Sequence, residues 1–305
     1  MTTLLSPKVD FVFKALFGQE HNKHLLLSLL NAVLERVDGE HIVEIELLNT
    51  NLVKPDLGQK ESRLDLLARS QHGRVFHVEM QVQNHRFFLE RMLFYWARLF
   101  SGQLKEGQDY TNLTPVITII FADFVAVPEI SDYHTCWMWK EVECDTILSD
   151  HGQIHIIEFP KFHETLDGTK DLLEQWVSFL IEAEQMQHES SPKWIDEKLK
   201  EAYRELERLS QKPELRALYE AQLRDIRDQR AYLLDSFHEG HEKGLEEGRT
   251  KGLEQGLEQG LEQGLEQGRL EVARNLLVHG LGVKMIAAAT GLSMEAIEAL
   301  VDGTD

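Results

Sequence analysis

Two acidic residues that could hold a metal ion, Asp65 and Glu79, occupy two neighbouring apolar segments of the sequence. Segments 63–68 and 75–82 are short and rich in apolar side chains, which is typical of β-strands. The Ser-Gln-His-Gly sequence at 70–73 that separates them favours a turn. The pattern therefore predicts a β-hairpin that carries one carboxylate on each strand.

Alternation along the second strand divides its side chains between two faces. His77, Glu79 and Gln81 share one face. The opposite face carries the apolar residues Phe76, Val78, Met80 and Val82. On the first strand Asp65 stands between two leucines and is predicted to face away from their side. Pairing of the two strands then brings Asp65 close to Glu79 and Gln81.

Two carboxylates on one face of such a hairpin need a positive charge between them, since burial and mutual repulsion both disfavour their ionised forms. Mg²⁺ meets this need, because it takes oxygen ligands from one or two carboxylates and keeps several waters. Asp65 and Glu79 are therefore candidate ligands of a hard divalent cation. The alternative interpretation is a charged outer face of the sheet that binds no metal.

The order Asp65, thirteen intervening residues and then Glu79-Met80-Gln81 resembles the active-site core of the PD-(D/E)XK nuclease superfamily. The branch that it resembles comprises the recombination-promoting nucleases and transposases, the Rpn family. Three further segments resemble the same branch, at 6–14, 95–101 and 113–117. Together they extend the resemblance over roughly the first 190 residues.

The resemblance implies an α/β fold, a restriction-endonuclease-like mixed sheet flanked by helices. It also implies a DNA endonuclease that needs Mg²⁺, with Mn²⁺ as a substitute, and that promotes DNA recombination or derives from a mobile element. Asp65 and Glu79 would hold the ion together with the Met80 carbonyl. The superfamily usually has a lysine where this chain has Gln81, and glutamine can orient the attacking water only by hydrogen bonding.

A first helix is predicted to begin at Ser6-Pro7, because serine can cap a helix and proline suits its first turn. In that helix the resemblance brings Asp10 toward the metal site as a further catalytic residue. The alternative is that Asp10 and Lys14, four residues apart, form an ordinary ion pair on the helix surface.

A long amphipathic helix is predicted over 86–104, after the acidic motif. Arg91 and Arg98 are seven residues apart and therefore lie nearly in line on that helix. With Arg86 they could hold DNA phosphates beside the metal. The alternative is that these arginines only form surface ion pairs.

The remainder of the first 190 residues alternates between predicted strands and helices, which is the pattern of an α/β domain. Helices are predicted over 22–34 and 172–184, and a buried central strand over 116–122. A loop with proline and glycine is predicted over 52–61. Further strands are predicted over 42–48, 137–142 and 154–159.

Four parts of the chain are predicted from these patterns. They are a nuclease domain over 1–190, a helical connector over 191–236, a repeat over 237–268 and a small helical segment over 269–305. The first boundary depends on the polar sequence at 185–192. Pro213 is predicted to separate two helices within the connector.

The repeat has a glycine at every fourth residue from Gly240 to Gly268, with mostly leucine, glutamate and glutamine between. A four-residue step on a helix of 3.6 residues per turn advances about 40° per repeat, so no straight seam forms. Each glycine costs a helix about 1 kcal/mol relative to alanine, which makes an isolated helix marginal. The segment is predicted to be a weak helix that supports self-association, and the alternative is a flexible acidic spacer.

The composition limits the classes of function. A formal net charge of -20 argues against a protein that coats nucleic acid, although local basic residues and a bound metal still allow contact with DNA. No apolar run approaches the roughly 20 residues of a membrane helix, and residues 1–7 lack the features of a signal peptide. The expectation is a cytoplasmic protein with two reduced cysteines and no membrane partner.

DNA is the expected partner, and the chain is expected to form a homo-oligomer. A dimer is favoured, because cutting both strands of a duplex calls for two sites. The alternative function is a catalytically inactive DNA- or protein-binding remnant that self-associates through its repeat. The glutamine at position 81 and the acidic net charge motivate this alternative.

Overall fold

The chain divides into two compact units, residues 1–222 and 223–305. The computed structural model describes residues 3–35, 41–50, 64–163, 171–185 and 196–302. The loop predicted at 52–61 and the domain boundary predicted at 190 lie outside the described residues. Among the described helices, none combines the length and the apolar character that crossing a membrane requires.

Helices and strands alternate through the first unit. The strands are β1 Ile45–Leu47, β2 Leu66–Ser70, β3 Val75–Gln81, β4 Val116–Ala122, β5 His134–Lys140 and β6 Ile147–Glu158. The helices of the chain are α1 Asp10–Phe17, α2 Lys23–Leu34, α3 Phe88–Ser101, α4 Leu172–Glu182, α5 Glu197–Ser210, α6 Pro213–Val278, α7 Val283–Thr290 and α8 Met294–Asp302.

The six strands form one mixed sheet in the order β1-β2-β3-β4-β6-β5. Strands β3, β4 and β6 are parallel, and the other neighbouring pairs are antiparallel. Strand β4 lies at the centre and all seven of its residues are buried, which explains its almost continuous apolar sequence. The predicted α/β class, with a mixed sheet flanked by helices, is confirmed.

Helices cover both faces of this sheet. On one face Phe88 and Met92 of α3 pack with Ile120 of β4 and Ile156 of β6. On the other face Phe13 of α1 lies 6.1 Å from Phe121 of β4, measured between ring centroids. Helices α2, α4 and α5 extend this second layer, where α2 contacts both α4 and α5. The sheet is therefore covered by helices on both faces. Each face is named after the helix described on it, the α3 face and the α1 face.

The prediction that Ser6 caps the first helix is wrong. Helix α1 begins at Asp10, and Val9 precedes it in an extended conformation without a side-chain hydrogen bond to the helix. Ser6 instead accepts a turn hydrogen bond at its carbonyl from the Val9 N–H, at 3.2 Å. Its own N–H donates to the Tyr219 hydroxyl at 3.3 Å, so this segment is held by tertiary contacts and not by a cap.

Strand β6 is longer than predicted and begins seven residues earlier, at Ile147. The added part contains the polar residues Ser149, Asp150 and His151, which weaken the strand pattern in the sequence. Pairing with β5 and β4 keeps this part extended regardless of its composition. Strand β5 likewise begins at His134, three residues before its predicted start.

The repeat is helical throughout, as part of the single helix α6 that runs from Pro213 to Val278. The helix predicted after Pro213, the weak helix predicted for the repeat and the first part of the predicted C-terminal helical segment are therefore one continuous element. Pro213 separates α5 from α6, as predicted. A Cβ added at any glycine from Gly240 to Gly268 would meet no atom within 4 Å apart from the helix's own nearby backbone. Its leucines are exposed, for example Leu257 at 69%. In the second unit, α7 and α8 pack against the end of α6 through Ala273, Ile286 and Ile297.

Candidate active site

The predicted hairpin is present as strands β2 and β3. Leu66 pairs with Val78, and the turn is closed by a hydrogen bond from the Gly73 N–H to the Ser70 carbonyl at 3.0 Å. Gly73 has φ of +83°, a conformation that strongly favours glycine. The antiparallel register then sets Asp65, one residue before β2, beside Glu79 of β3.

The two carboxylates meet where the ladder between β2 and β3 ends. The Asp65 N–H donates to Glu79 Oε1 at 3.2 Å, and the Met80 N–H donates to Asp65 Oδ2 at 2.9 Å. In β3 the backbone groups of the odd-numbered residues form hydrogen bonds with β4. The backbone groups of Met80 therefore face β2, just beyond Leu66 and Val78, the last pair of residues in that ladder. The Asp65 carboxylate thus takes the place of a missing strand residue opposite the Met80 backbone.

The predicted alternation around Asp65 is wrong. Leu64 packs on the α3 face beside Trp96 and Leu99, whereas Leu66 lies on the α1 face next to Gly18. Asp65 sits at a bend between them, before the strand begins, so the two-residue period does not apply to it. The carboxylate nevertheless reaches Glu79, because the bend directs it along the end of the hairpin.

Glu79 is 2% exposed and is held by a row of polar side chains on the α3 face. His77 Nε2 lies 2.6 Å from Glu79 Oε1, and Gln81 Nε2 donates to Glu79 Oε2 at 3.2 Å. Arg91 of α3 donates in turn to Gln81 Oε1 at 2.6 Å. The sequence Glu79-x-Gln81 therefore places an amide beside the carboxylate, and α3 fixes the orientation of that amide.

A lysine enters the site from α1. Lys14 Nζ lies 3.0 Å from Asp65 Oδ1 and 2.8 Å from Asp10 Oδ1. The ion pair between Asp10 and Lys14, four residues apart, is therefore present. The same ammonium group also contacts Asp65 at the site. In this arrangement a single ammonium group joins Asp10 to Asp65, and a catalytic role for Asp10 stays a prediction.

The electrostatics of the carboxylate pair favour an added cation. Burial, followed by the charges of Glu79 and Asp10, raises the pKa of Asp65 to about 8, although Lys14 and the Met80 N–H act in the opposite direction. Burial also disfavours the charge on Glu79, but the hydrogen bond and the charge of His77 hold the pKa of Glu79 below its usual range. One carboxyl of the pair is therefore ionised at neutral pH, and the second lacks sufficient positive charge.

The donor set fits a hard divalent ion with few protein ligands. In the part of the chain that the structure describes, no three His, Cys, Asp or Glu residues are grouped so as to hold a metal ion. Two carboxylates and a backbone carbonyl suffice for Mg²⁺, which retains several waters, but not for a zinc-type site. Asp65, Glu79 and the Met80 carbonyl are the donors present here, and the raised pKa of Asp65 indicates that additional positive charge would be accommodated.

The three arginines occupy different places. Arg91 contacts Gln81 directly. Arg86 is exposed, lies 5.4 Å from the centre of the Phe87 ring and lines a surface cavity of about 410 Å³ at the start of α3. Arg98 lies about 10 Å further along α3 from Arg91, given a rise of 1.5 Å per residue. Arg91 is therefore the arginine for which a direct contact with the acidic motif carries the argument.

Three residues around the acidic motif were not identified as site residues from the sequence. Lys14 carries a signal in its position four residues after Asp10, but its contact with Asp65 spans 51 residues and has no local pattern. His77 alternates with Glu79 and could have been inferred from that spacing. Tyr95 of α3, with its ring 6.1 Å from that of His77, carries no such signal.

Comparison with known proteins identifies the family. No significant match to a curated protein was found, and none to a solved structure. The family model for PD-(D/E)XK nuclease family transposases matches residues 7–236, which is three quarters of the chain. This match confirms the resemblance inferred from the sequence, and the chain therefore belongs to the PD-(D/E)XK nuclease family transposases.

Proposed function

We propose that this chain is a Mg²⁺-dependent DNA endonuclease that cuts phosphodiester bonds and promotes DNA recombination or derives from a mobile element. The observation that carries the proposal is the contact of Asp65 and Glu79 at the open end of the hairpin ladder. PD-(D/E)XK nucleases generally use divalent metal ions, which agrees with this pair of carboxylates.

Five residues of the site have a role in this proposal. Asp65, Glu79 and the Met80 carbonyl hold Mg²⁺, or Mn²⁺ as a substitute. When bound, the ion polarises the phosphate and lowers the pKa of the attacking water. Gln81 orients that water through its amide, which Arg91 keeps in place. Solvent protonates the leaving 3′ oxygen.

Lys14 supplies the positive charge that Gln81 lacks. The superfamily lysine is absent from position 81, yet the ammonium group of Lys14 lies 3.0 Å from the carboxylate of Asp65. Burial alone would lower the pKa of Lys14, but the charges of Asp65 and Asp10 and the hydrogen bonds with both carboxylates together hold it above its usual value, so the group is cationic near neutral pH. A cation is therefore present at the site, contributed by α1 instead of β3.

The direct test is nicking of a supercoiled plasmid by the full chain. We expect conversion to the open-circular form with Mg²⁺ or Mn²⁺, and no conversion with Ca²⁺ or EDTA. Cleavage that persists unchanged in EDTA would contradict the metal dependence. A protein that leaves the plasmid intact in every metal, at all protein concentrations, would contradict the proposed activity itself.

Contact with DNA phosphates is proposed for Arg86, Arg91 and Arg98. Replacing Arg86 and Arg98 with glutamine is expected to weaken binding to all DNA sequences and to lower the salt slope, log Kd against log salt, by about 1 for each phosphate that is no longer neutralised. Titrations by fluorescence anisotropy in Ca²⁺ at several salt concentrations measure this. An unchanged slope would assign both arginines to ordinary surface ion pairs.

The alternative function, an inactive remnant that self-associates through its repeat, is favoured by the absence of a lysine at position 81. Metal-dependent nicking of a plasmid by the full chain distinguishes the two, and removing the residues after Ser236 then tests whether the repeat is needed for activity. For an endonuclease we expect nicking to remain within about a factor of three of the full chain, since the acidic motif and its contacts all lie before residue 100. Light scattering of both forms reports the proposed dimer. Loss of nicking in a truncated chain that still folds would contradict the four-part division.

A further inference from the structure

A second concave site lies on the α3 face, away from the carboxylates. It is a cavity of about 210 Å³ between α3 and the edge of the sheet. Its walls come from Leu93 and Trp96 of α3, Trp137 and Trp139 of β5, and Gly152 and Ile154 of β6. We refer to these six residues as the tryptophan cleft. None of them takes part in the chemistry proposed above.

The cleft depends on a glycine. A Cβ added at Gly152 would lie 2.8 Å from Trp96 Cζ2 and 2.9 Å from Trp139 Cδ1, closer than real Cβ contacts. Only glycine therefore lets both indoles approach β6, where their rings lie 5.5 Å apart at an angle of 58°. Trp96 also stacks on Phe100, at 5.3 Å and 10°. The cleft is thus a specific arrangement of rings and not a chance gap between loose side chains.

Two of these indoles remain half-exposed. Trp137 is 44% exposed and Trp139 is 46% exposed. The indole N–H of Trp137 donates to Thr135 Oγ1 at 2.9 Å, whereas the N–H of Trp139 has no acceptor among the described residues. The cleft therefore offers flat ring faces and one available donor. An exposed group of large aromatic side chains is typical of a binding surface.

The sheet places the cleft and the carboxylates on the same face. Gly152 pairs with Val116, which pairs with Val75, four residues before Glu79 on β3. The strand rise and the spacing between strands put Gly152 about 13 Å along and about 10 Å across from Glu79, a distance of about 16 Å. At about 3.4 Å per stacked nucleotide, a separation of about 16 Å corresponds to about five nucleotides of one DNA strand. Fewer nucleotides span it when the strand is extended.

The size and charge of the cleft favour a single flat group. Its volume is below the 300 Å³ or more of a pocket for drug-sized ligands and is too small for a helix. Two neighbouring polar side chains already have partners: Lys140 Nζ lies 2.8 Å from Asp145, and His151 Nδ1 lies 3.1 Å from Asp150. A nucleobase fits these properties, because every base has a π-face that stacks on aromatic rings and edge atoms that accept hydrogen bonds.

We propose that the tryptophan cleft binds one unpaired base of the DNA strand that is cut at the carboxylates. The inference rests on the proposed endonuclease function and narrows its substrate to DNA with a single-stranded or locally unpaired segment beside the cleavage position. A base within a duplex is stacked on both faces and cannot enter the cleft unless it leaves the helix. Stacking also supplies binding energy that a chain with a formal net charge of -20 gains less readily from contacts with phosphates.

Fluorescence of 2-aminopurine tests this with the full chain in Ca²⁺, which is expected to support binding without cleavage. One oligonucleotide is fully paired, a second has a single-stranded extension carrying the probe, and a third has the extension in RNA. We expect the DNA extension to bind about tenfold more tightly than the paired duplex and its probe to be quenched. Trp139→Ala should remove both effects and leave paired-duplex binding within a factor of two.

Two further variants separate stacking from folding. Trp139→Phe keeps an aromatic ring and should retain most of the quenching, and Tyr232→Ala removes an exposed aromatic residue outside the cleft and should change nothing. Equal binding of paired and extended DNA, tighter binding of the RNA extension, or a change of molar mass in Trp139→Ala would each overturn the inference. If only the inference about the cleft is wrong, the wild-type protein still nicks plasmid DNA. If the proposed endonuclease function is wrong, the wild-type protein does not nick plasmid DNA at all.

Discussion

Glu79→Gln is expected to reduce plasmid nicking in Mg²⁺ by about 1,000-fold or more, equivalent to about 4 kcal/mol of transition-state stabilisation. The substitution keeps the size of the side chain and an oxygen for the hydrogen bonds with His77 and the Asp65 N–H. It removes the charge, and the pKa of Glu79 is held low in the folded chain, so this carboxylate is ionised under assay conditions. The loss therefore reports on charge at the site and not on packing.

The matched control is Glu90→Gln, on the exposed surface of α3 in its first turn. It changes the net charge by the same amount and should leave the nicking rate within a factor of two. Thermal unfolding, followed by circular dichroism, should show both variants folded. Nicking by Glu79→Gln at the wild-type rate would exclude Glu79 as a metal ligand, whatever the family of the chain.

The hairpin and its acidic motif could be predicted because their determinants are local. Alternation places Glu79, His77 and Gln81 on one face, and the Ser-Gln-His-Gly turn sets the register that brings Asp65 opposite Glu79. The error at Leu64 arises because a period of two holds only inside a strand. Asp65 precedes β2 and sits in a bend, which the apolar pattern of 64–68 does not reveal.

Contacts between distant segments account for what the sequence does not predict. Lys14 reaches Asp65 from α1, and Arg91 reaches Gln81 from α3, through the packing of the two helix layers on opposite faces of the sheet. The tryptophan cleft likewise combines α3 with β5 and β6, and its key residue, Gly152, lies in the early part of β6 that the sequence does not predict as a strand. The helical form of the repeat could be predicted, but its continuity from Pro213 to Val278 could not.

A buried histidine makes the fold sensitive to acid. His155 of β6 is fully buried, with Nδ1 3.0 Å from His134 Nε2 and Nε2 3.7 Å from Cys136 Sγ. Burial, and then the charge of His134, lowers the pKa of His155 to about 3 from its usual 6.5. The folded chain therefore holds this ring neutral. Its full contribution to stability is present above pH 6.5, falls as the unfolded chain takes up the proton below 6.5, and levels off below about 3.

We expect His155 to remove about 2 kcal/mol of stability between pH 7.5 and pH 5, since each unit below the unfolded pKa costs about 1.4 kcal/mol. His155→Asn should be less stable than the wild type at pH 7.5, because it leaves a gap beside His134, but should lose about 2 kcal/mol less on going to pH 5. Urea unfolding at both pH values measures this. Tryptophan fluorescence is a suitable probe, because all five tryptophans lie before residue 195.

The control is His151→Asn on the same strand, where the side chain is 40% exposed. It should follow the wild-type pH dependence. The raised pKa of Asp65 acts in the opposite direction, since that carboxyl favours folding at lower pH, but it is common to all three proteins and cancels in the comparison. An equal loss of stability on acidification in His155→Asn and the wild type would show that His155 is charged in the folded chain, and the buried pair with His134 would then need another source of compensation.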